Sequence, residues 1–169
     1  QTYESATMSA TPPPPLEYDD LLPAVLQAAR RGHLSSMQVE TAAYASQALR
    51  HREQRAFFLG DATGTGKTRV AAAVILDYCA AHPGARCLYV SSRPELERDV
   101  LSTLRLLERE GGLGETPWQR LTGARFAEAA PGVASTTYPL LRSRWDQPAG
   151  AAGAAGAAGA AGAAGAAGA

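Results

Sequence analysis

The sequence predicts an α/β domain in which a parallel sheet is flanked by helices, and three observations lead to that fold class. Short apolar segments of strand length alternate with longer segments that have helix-forming composition. A loop rich in glycine and threonine joins the first of these strands to a long helix. The resulting order of strand, loop, helix, strand, helix and strand is typical of a parallel sheet wrapped by helices.

Two low-complexity ends bound the segment that can fold. Residues 1–15 end in four prolines, which favour an extended polyproline conformation. Residues 149–169 repeat Gly-Ala-Ala and supply no large apolar side chain for a core, so we expect this tail to be disordered. The domain is therefore expected at residues 16–148. The start at Gln1 and the abrupt low-complexity end favour a piece of a longer protein.

Composition argues against a membrane protein and against a broadly basic surface. Sixteen basic and sixteen acidic residues cancel, so nucleic-acid contact would have to come from a local patch. The longest strongly apolar run, residues 70–76, is too short to cross a bilayer, and residues 1–15 lack the pattern of a signal peptide. We expect an intracellular protein. Cys79 and Cys87 lie in apolar runs without metal-ligand spacing, which favours buried reduced thiols over the alternative of a disulfide.

The first half of the domain predicts two helices and a strand. Pro23 is placed to open a short helix over residues 23–31. A second helix is expected to begin with a cap at Ser35 or Ser36 and to continue to Leu49. The apolar run at residues 56–59 is typical of a short buried strand.

The second half predicts a long helix, a strand, another helix and a final strand. The helix at residues 67–82 is apolar on nearly all faces, so we expect it to be covered on both sides. Residues 86–91 predict the second strand and 133–138 the third. Between them, Ser92 and Glu95 have capping-box spacing for a helix. Charges of both signs interleave along that helix and predict a solvated face; they are Glu97, Arg98, Arg105, Glu108 and Arg109.

The loop between the first strand and the long helix, Gly60 to Arg69, has the residue types of a phosphate-binding P-loop. Gly64 and Gly66 permit the close backbone approach through which N–H groups point at a phosphate. Lys67 is the predicted catalytic residue, because its ammonium can reach the β- and γ-phosphates, and Thr68 offers a hydroxyl to Mg²⁺. The loop predicts that ATP and Mg²⁺ bind at the residues Thr63, Gly64, Thr65, Gly66, Lys67 and Thr68.

With this loop in place, the sequence resembles the Strawberry notch family of helicase-like proteins. The matching pieces are, in order, residues 4–6 before a proline-rich step, 34–40 with 44–45, 57–61, 66–67 with Arg69, 88–91 with 97–99, and 135–138. Asp61 stands where the general P-loop pattern has glycine and resembles the family's own choice. Thr68 departs from the family, which often has glycine there. The resemblance covers residues 4–138, most of the non-repetitive chain.

The resemblance implies part of a two-lobed, ATP-dependent motor of the second helicase superfamily. The fold expected from it is an incomplete RecA-like lobe, the first of the two. The partners it implies are ATP, the remainder of the motor, and DNA or chromatin reached through the intact parent. It also implies a nuclear location in a eukaryote and a role in transcription regulation.

Several further residues fall at positions that such motors use. Gln38 matches a glutamine that reads the adenine edge, but Ser35 and Gln38 also have capping-box spacing, and the two interpretations carry equal weight. Nucleic-acid contacts are implied for Ser91, Ser92, Arg93, Thr136 and Thr137. The alternatives for these are a plain helix cap with a solvated arginine, and hydroxyls of a surface turn.

The sequence lacks two features that hydrolysis requires. No apolar run ends in Asp-Glu, the pair that would hold Mg²⁺ and orient water, and no second lobe supplies an arginine finger. We therefore expect negligible hydrolysis by this chain alone. Two other functions remain open: a small P-loop kinase, which would need an acceptor site and an arginine-rich lid, and a non-enzymatic truncated scaffold.

Overall fold

The computed structural model describes residues 15–16, 18, 21–50, 56–60, 64–121 and 129–145. The Gly-Ala-Ala tail and all but the last residue of the proline-rich lead lie outside these ranges. The helices are α1 (Pro23–Arg30), α2 (Ser36–Arg50), α3 (Lys67–Ala81), α4 (Pro94–Gly111) and α5 (Tyr138–Trp145). The strands are β1 (Arg86–Ser91), β2 (Trp118–Arg120) and β3 (Gly132–Thr137).

The three strands form one parallel sheet in the order β1-β3-β2, which confirms the predicted fold class. β3 is central and buried along nearly its whole length. Its register pairs Arg86 with Gly132 at one end and Ser91 with Thr137 at the other. β1 lies exactly where the sequence predicts the second strand, whereas the three-residue β2 has too short an apolar pattern to be predicted.

The predicted strand at residues 56–59 is wrong. Residues 56–60 have no regular secondary structure, and Phe58 is 91% exposed. An isolated strand leaves its backbone N–H and C=O groups without ladder partners, and the described sheet places no strand beside this segment. Leu59 nevertheless packs against the edge of the apolar core. The apolar composition of residues 56–59 therefore reflects the packing of Leu59 against the core and not pairing within a β-sheet.

The core lies among the helices α1 to α4. Val100, Leu104 and Leu107 recur along one face of α4 and are fully buried, as the spacing of an amphipathic helix requires. Small residues of α2 and α3 let these helices approach closely. The rest of the core consists of Leu21, Ala24, Val25, Ala28, Leu34, Val39, Ala42, Ala43, Val70, Ala72, Ala73 and Leu76.

A buried carboxylate on α3 joins three helices. Asp77 accepts a hydrogen bond from the backbone N–H of Leu22, at the start of α1, at 2.8 Å. Its other oxygen accepts from the Arg50 guanidinium, at the end of α2, also at 2.8 Å. A buried carboxylate is tolerated when it is paired and hydrogen-bonded in this way. Asp77 therefore fixes the ends of α1 and α2 against the middle of α3.

The start of α4 differs from the predicted capping box. The helix begins at Pro94, its cap residue is Arg93, and the cap makes no side-chain hydrogen bond. Ser92 is exposed, while the neighbouring Ser91 donates its hydroxyl to the Arg93 carbonyl at 2.9 Å. Two acids in the first turn, Glu95 and Glu97, provide the negative charge that a helix start favours.

The predicted solvated face of α4 is correct only in part. Arg98 and Arg109 are exposed, but Glu108 is 1% exposed and Glu97 is 8% exposed. Glu108 accepts from Arg105 at 2.7 Å and from the backbone N–H of Thr116 at 2.7 Å. The chain leaving α4 folds back over this side of the helix, so these acids are satisfied by protein groups instead of water.

Glu97 belongs to a polar cluster that ties α4 to the sheet. Its Oε1 accepts from the Ser135 hydroxyl at 2.6 Å and from the Trp118 indole N–H at 3.1 Å. Arg120 Nε lies 3.6 Å from the other carboxylate oxygen. Ser135 is completely buried in the central strand. One carboxylate therefore connects the helix with both β2 and β3.

The far face of α3 is not covered as predicted. Ala71, Val74 and Ile75 are only half-buried, and they line an open groove of about 310 Å³. Across the groove lie Leu88 and Tyr89 of β1. The groove is also lined by Ala45, Leu49, Phe57, Leu59, Lys67 and Val70. Among the described helices, none is both long and apolar enough to cross a membrane.

Candidate phosphate-binding site

The predicted P-loop leads directly into α3. Gly64 and Gly66 have φ values of 89° and 83°, in the left-handed region that residues with a side chain rarely adopt. Gly66 is the cap of α3, and its carbonyl accepts the backbone N–H groups of Arg69 at 2.8 Å and Val70 at 3.3 Å. The glycines therefore turn the chain sharply so that the helix begins at Lys67. Thr63 and Asp61 lie outside the described residues.

The beginning of α3 has the electrostatics of an anion site. The N–H groups of the first helical turn carry partial positive charge, and this turn contains no acidic residue. Lys67 and Thr68 occupy its first two positions and are half-buried. Lys67 is the only lysine in the chain. The arrangement can hold a negatively charged group against backbone, ammonium and hydroxyl donors together.

Gln38 contacts this loop from α2. Its side-chain N–H donates to the Thr65 carbonyl at 3.0 Å. The capping-box interpretation is also confirmed, because Ser35 N–H donates to Gln38 Oε1 at 3.0 Å and Gln38 N–H donates to the Ser35 hydroxyl at 3.3 Å. A β-carbon on Gly66 would collide with the Gln38 amide. Gln38 thus joins the start of α2 to the loop before α3.

The predicted nucleic-acid residues meet at the carboxyl end of the sheet, but they differ in exposure. Ser91 and Thr137 are register partners at the ends of β1 and β3. Ser91 and Thr136 are buried, whereas Ser92 and Arg93 are exposed and Thr137 is half-buried. Of the five predicted residues, only Ser92, Arg93 and Thr137 can therefore touch a large ligand without rearrangement.

The phosphate loop lies at the same end of the sheet. α3 connects to β1 through the short turn at residues 82–85, so the helix runs antiparallel to the strand that follows it. Its beginning, Lys67, therefore lies near the carboxyl end of β1, where open parallel sheets bind ligands. Lys67 and Tyr89 line the same groove. Burial, with smaller effects from Asp99 and Glu97, raises the pKa of Tyr89.

The donor set restricts how a metal could be held. Within the described ranges, no three His, Cys, Asp or Glu side chains are grouped to form a metal site. Mg²⁺ commonly binds through few protein oxygens, with phosphates and water completing its octahedron. The Thr68 hydroxyl in the first turn of α3 suits that mode, because a triphosphate at the helix start would supply the other oxygens.

Two contacts of α2 with the chain around α3 were not predicted from sequence. The Gln38–Thr65 hydrogen bond joins residues 27 positions apart and leaves no local signal. Asp77 did leave a signal, because it is the single charged residue within the apolar stretch 70–81. A lone acid in such a helix indicates a buried partner, here Arg50, and so could have located the end of α2.

Comparison with known proteins identifies the family. The family model described as "P-loop containing NTP hydrolase pore-1" matches residues 1–152. The Protein strawberry notch homolog of Caenorhabditis elegans is 30% identical over 145 residues, which is 82% of this chain and 8% of that protein. The human Protein strawberry notch homolog 2 is 37% identical over 114 residues, which is 64% of this chain and 8% of that protein.

The match extends to insects and covers a small part of each relative. Protein strawberry notch of Drosophila melanogaster is 35% identical over 104 residues, 57% of this chain and 6% of that protein. The chain thus spans less than a tenth of the length of these relatives. No solved structure matches the chain. On the family match over nearly all of its length, the chain belongs to the P-loop NTP hydrolase pore-1 family and is related to the Strawberry notch proteins.

Proposed function

We propose that this chain binds ATP with Mg²⁺ at its P-loop and forms the ATP-binding portion of a Strawberry notch-like, ATP-dependent helicase. The observation that carries the proposal is the left-handed Gly66, which begins α3 at Lys67 in a turn without acids. Family membership supports nucleotide binding, and the relatives support a helicase-like parent.

Each residue of the loop has a separate proposed role. Gly64 and Gly66 allow the backbone of Thr63, Thr65 and the start of α3 to approach the phosphates. Lys67 neutralises charge on the β- and γ-phosphates. Thr68 holds Mg²⁺ by its hydroxyl. When bound, the metal would neutralise charge shared by the β- and γ-phosphate oxygens.

Gln38 is proposed to position the loop and is less well suited to read adenine in the geometry described. Its amide oxygen accepts from Ser35 and its amide nitrogen donates to Thr65. An adenine ring would need the same donor and acceptor. Adenine reading would therefore require both of these hydrogen bonds to be exchanged when the nucleotide binds.

The remaining proposals concern the parent motor. Ser92, Arg93 and Thr137 are accessible at the carboxyl end of the sheet and would contact the nucleic-acid backbone, with Ser91 and Thr136 shaping that end from inside. DNA or chromatin binding, nuclear location and transcription regulation would belong to the parent. Hydrolysis by this chain alone is proposed to be negligible, since an Asp-Glu pair and an arginine finger would have to come from elsewhere.

The direct test is the affinity for ATP with Mg²⁺, measured by calorimetry on the folded chain and on Lys67→Ala. A hydrogen bond to a charged group contributes about 1.5–3 kcal/mol, so the variant should bind about 10- to 100-fold more weakly. Arg98→Ala is the matched control, because it also removes one positive charge, from an exposed position on α4. The control should bind like the wild type.

The same measurement separates the other functions. Unchanged affinity in Lys67→Ala would reject the assignment of the loop. A well-folded wild type that binds no ATP would favour a non-enzymatic scaffold. Transfer of phosphate from ATP to a small acceptor would favour a kinase.

A further inference from the structure

The two cysteines of the chain meet at the turn between α3 and β1. Cys79 lies in the last turn of α3 and Cys87 is the second residue of β1. Their Sγ atoms are 3.6 Å apart. Backbone hydrogen bonds from His82 to the Tyr78 carbonyl and from Ala85 to the His82 carbonyl hold the turn that brings them together.

The two sulfur atoms are in non-bonded contact, close enough to be brought to bonding distance by a small movement of the side chains. A disulfide has an S–S distance of about 2.05 Å, so the sulfurs must approach by on the order of 1.5 Å from 3.6 Å. Both residues are half-buried free thiols. They lie in different secondary-structure elements, so the bond would staple a helix to a strand.

We propose that Cys79 and Cys87 form a reversible dithiol–disulfide site that is oxidised by a low-molecular-weight disulfide such as glutathione disulfide. Cys87 sulfur attacks one glutathione sulfur, which forms a mixed disulfide and releases one glutathione. Cys79 sulfur then attacks the Cys87 sulfur, forms the Cys79–Cys87 bond and releases the second glutathione. The two protons lost by the cysteines are taken up by the two glutathione thiolates, so atoms and electrons balance.

The hydrogen bond between the two thiols bears on the order of these steps. It lowers the pKa of Cys87 by more than burial raises it, so Cys87 loses its proton first. The same hydrogen bond, together with burial and the nearby Glu108 charge, raises the pKa of Cys79. Because the thiolate is the nucleophile, Cys87 is the attacking residue and Cys79 the resolving one.

Neither cysteine is fully buried. On the Cys79 side of the pair, a cavity of about 150 Å³ is lined by His82, Gly84, Thr116 and Gly132, among others, but not by Cys87. Lys67 lies twelve residues before Cys79 on the same helix, which is about 18 Å along its axis. The pair is therefore separate from the phosphate loop, and this inference does not rest on the proposed function.

The test is an equilibration of the folded wild-type chain in buffers of increasing glutathione disulfide, followed by alkylation of free thiols and mass spectrometry. We expect two alkylated cysteines under reducing conditions, and under oxidising conditions a monomer that has lost two hydrogens and takes up no alkyl group. After trypsin, the oxidised chain should show peptide 70–86 joined to peptide 87–98, because cleavage follows Arg69, Arg86 and Arg98.

Single variants test the order of attack. Cys79→Ser removes the resolving thiol, so glutathione should remain attached to Cys87. Cys87→Ser should acquire glutathione at Cys79 more slowly, because the thiol that remains is the poorer nucleophile. A wild type that retains a stable glutathione adduct, or that forms disulfides only between two chains, would overturn the proposal. So would oxidation at the same glutathione ratio in urea-unfolded chain, since the fold would then contribute nothing.

Discussion

The two sides of β1 differ sharply in how they are completed. On one side, β1 pairs with the buried strand β3, and α4 packs behind them with the Glu97 cluster connecting helix and sheet. On the other side, β1 faces the open groove, where Leu88 is 40% exposed and the segment 56–60 makes no ladder. The phosphate loop belongs to this open side, because Lys67 lines the groove.

The two sides therefore have different roles. The closed side stabilises the domain, and the open side presents the candidate phosphate-binding site. The satisfied polar groups Glu97 and Ser135 lie on the closed side, where α4 also contributes three fully buried residues to the apolar core, and such regions open last. The turn into α3 and the Gln38 side chain both hold the loop of Gly64 and Gly66. Substitutions on the closed side should therefore change stability, and those in the loop should change ligand affinity.

The largest expected effect is the loss of stability when a leucine on the closed side is replaced, compared with the loss at a leucine on the groove side. Leu104→Ala, at a position with 0% exposure in α4, should lower the free energy of unfolding by about 3 kcal/mol through lost burial and a cavity. Leu88→Ala, on the groove side, should lower it by less than about 1 kcal/mol, because the side chain is already partly in water. Urea unfolding followed by circular dichroism measures both. Equal losses of unfolding free energy in the two variants would contradict the proposed difference between the two sides of β1.

The Glu97 cluster gives the next effect. Glu97→Ala would remove the acceptor of the buried Ser135 hydroxyl and one of the two acceptors of the Trp118 N–H, at a cost of about 2 kcal/mol. Glu95→Ala, an exposed acid of the same helical turn, is the control and should cost less than about 0.5 kcal/mol. A Glu97 variant as stable as its control would show that the cluster does not anchor α4.

A smaller effect is expected at the junction between α2 and the loop. Gln38→Ala removes a capping-box partner and the hydrogen bond to Thr65, so unfolding should become easier by about 1 kcal/mol. Met37→Ala changes an exposed neighbour on the same turn and should have little effect. Faster amide hydrogen exchange at residues 64–66 in the Gln38 variant alone would show that this contact holds the loop. Identical exchange rates in the two variants would argue against that role.

The smallest effect is a shift in a pH profile. The Cys79 thiol lowers the pKa of Cys87, so Cys87 should react with iodoacetamide at a lower pH than an ordinary thiol. Cys79→Ala removes the donor, the pKa of Cys87 rises, and the rate profile should move to higher pH. Cys79→Ser retains a donor and should move it less. An unchanged profile in the alanine variant would mean that the hydrogen bond does not stabilise the thiolate.

Sequence patterns predicted α1 to α4 and β1 well because these are local, whereas α5 was not predicted. Pro23 marks the start of a helix by backbone geometry alone, and α1 begins there and ends at Arg30, two residues before Gly32 with its φ of 78°. The P-loop was predictable for the same reason, since Gly64, Gly66 and Lys67 must stand at fixed spacing.

What the sequence did not predict depends on tertiary neighbours. Residues 56–59 have the composition of a strand but lack a partner strand in the described sheet, so composition alone misled. Glu97 and Glu108 look solvated because acids on a helix usually are, and only the returning chain at Thr116 and Trp118 buries them. Ser92 has the spacing of a cap, but Pro94 begins the helix one residue too late for it.

The central claim is that the open side of β1 presents a polyphosphate site at the beginning of α3. Because Lys67 is the only lysine, isotopic labelling of lysine nitrogen gives a single backbone amide signal at that position. We predict that ATP with Mg²⁺ shifts this signal and that AMP, which lacks the β- and γ-phosphates, leaves it in place. A signal that stays unmoved by excess ATP, or moves equally with AMP, would contradict the account.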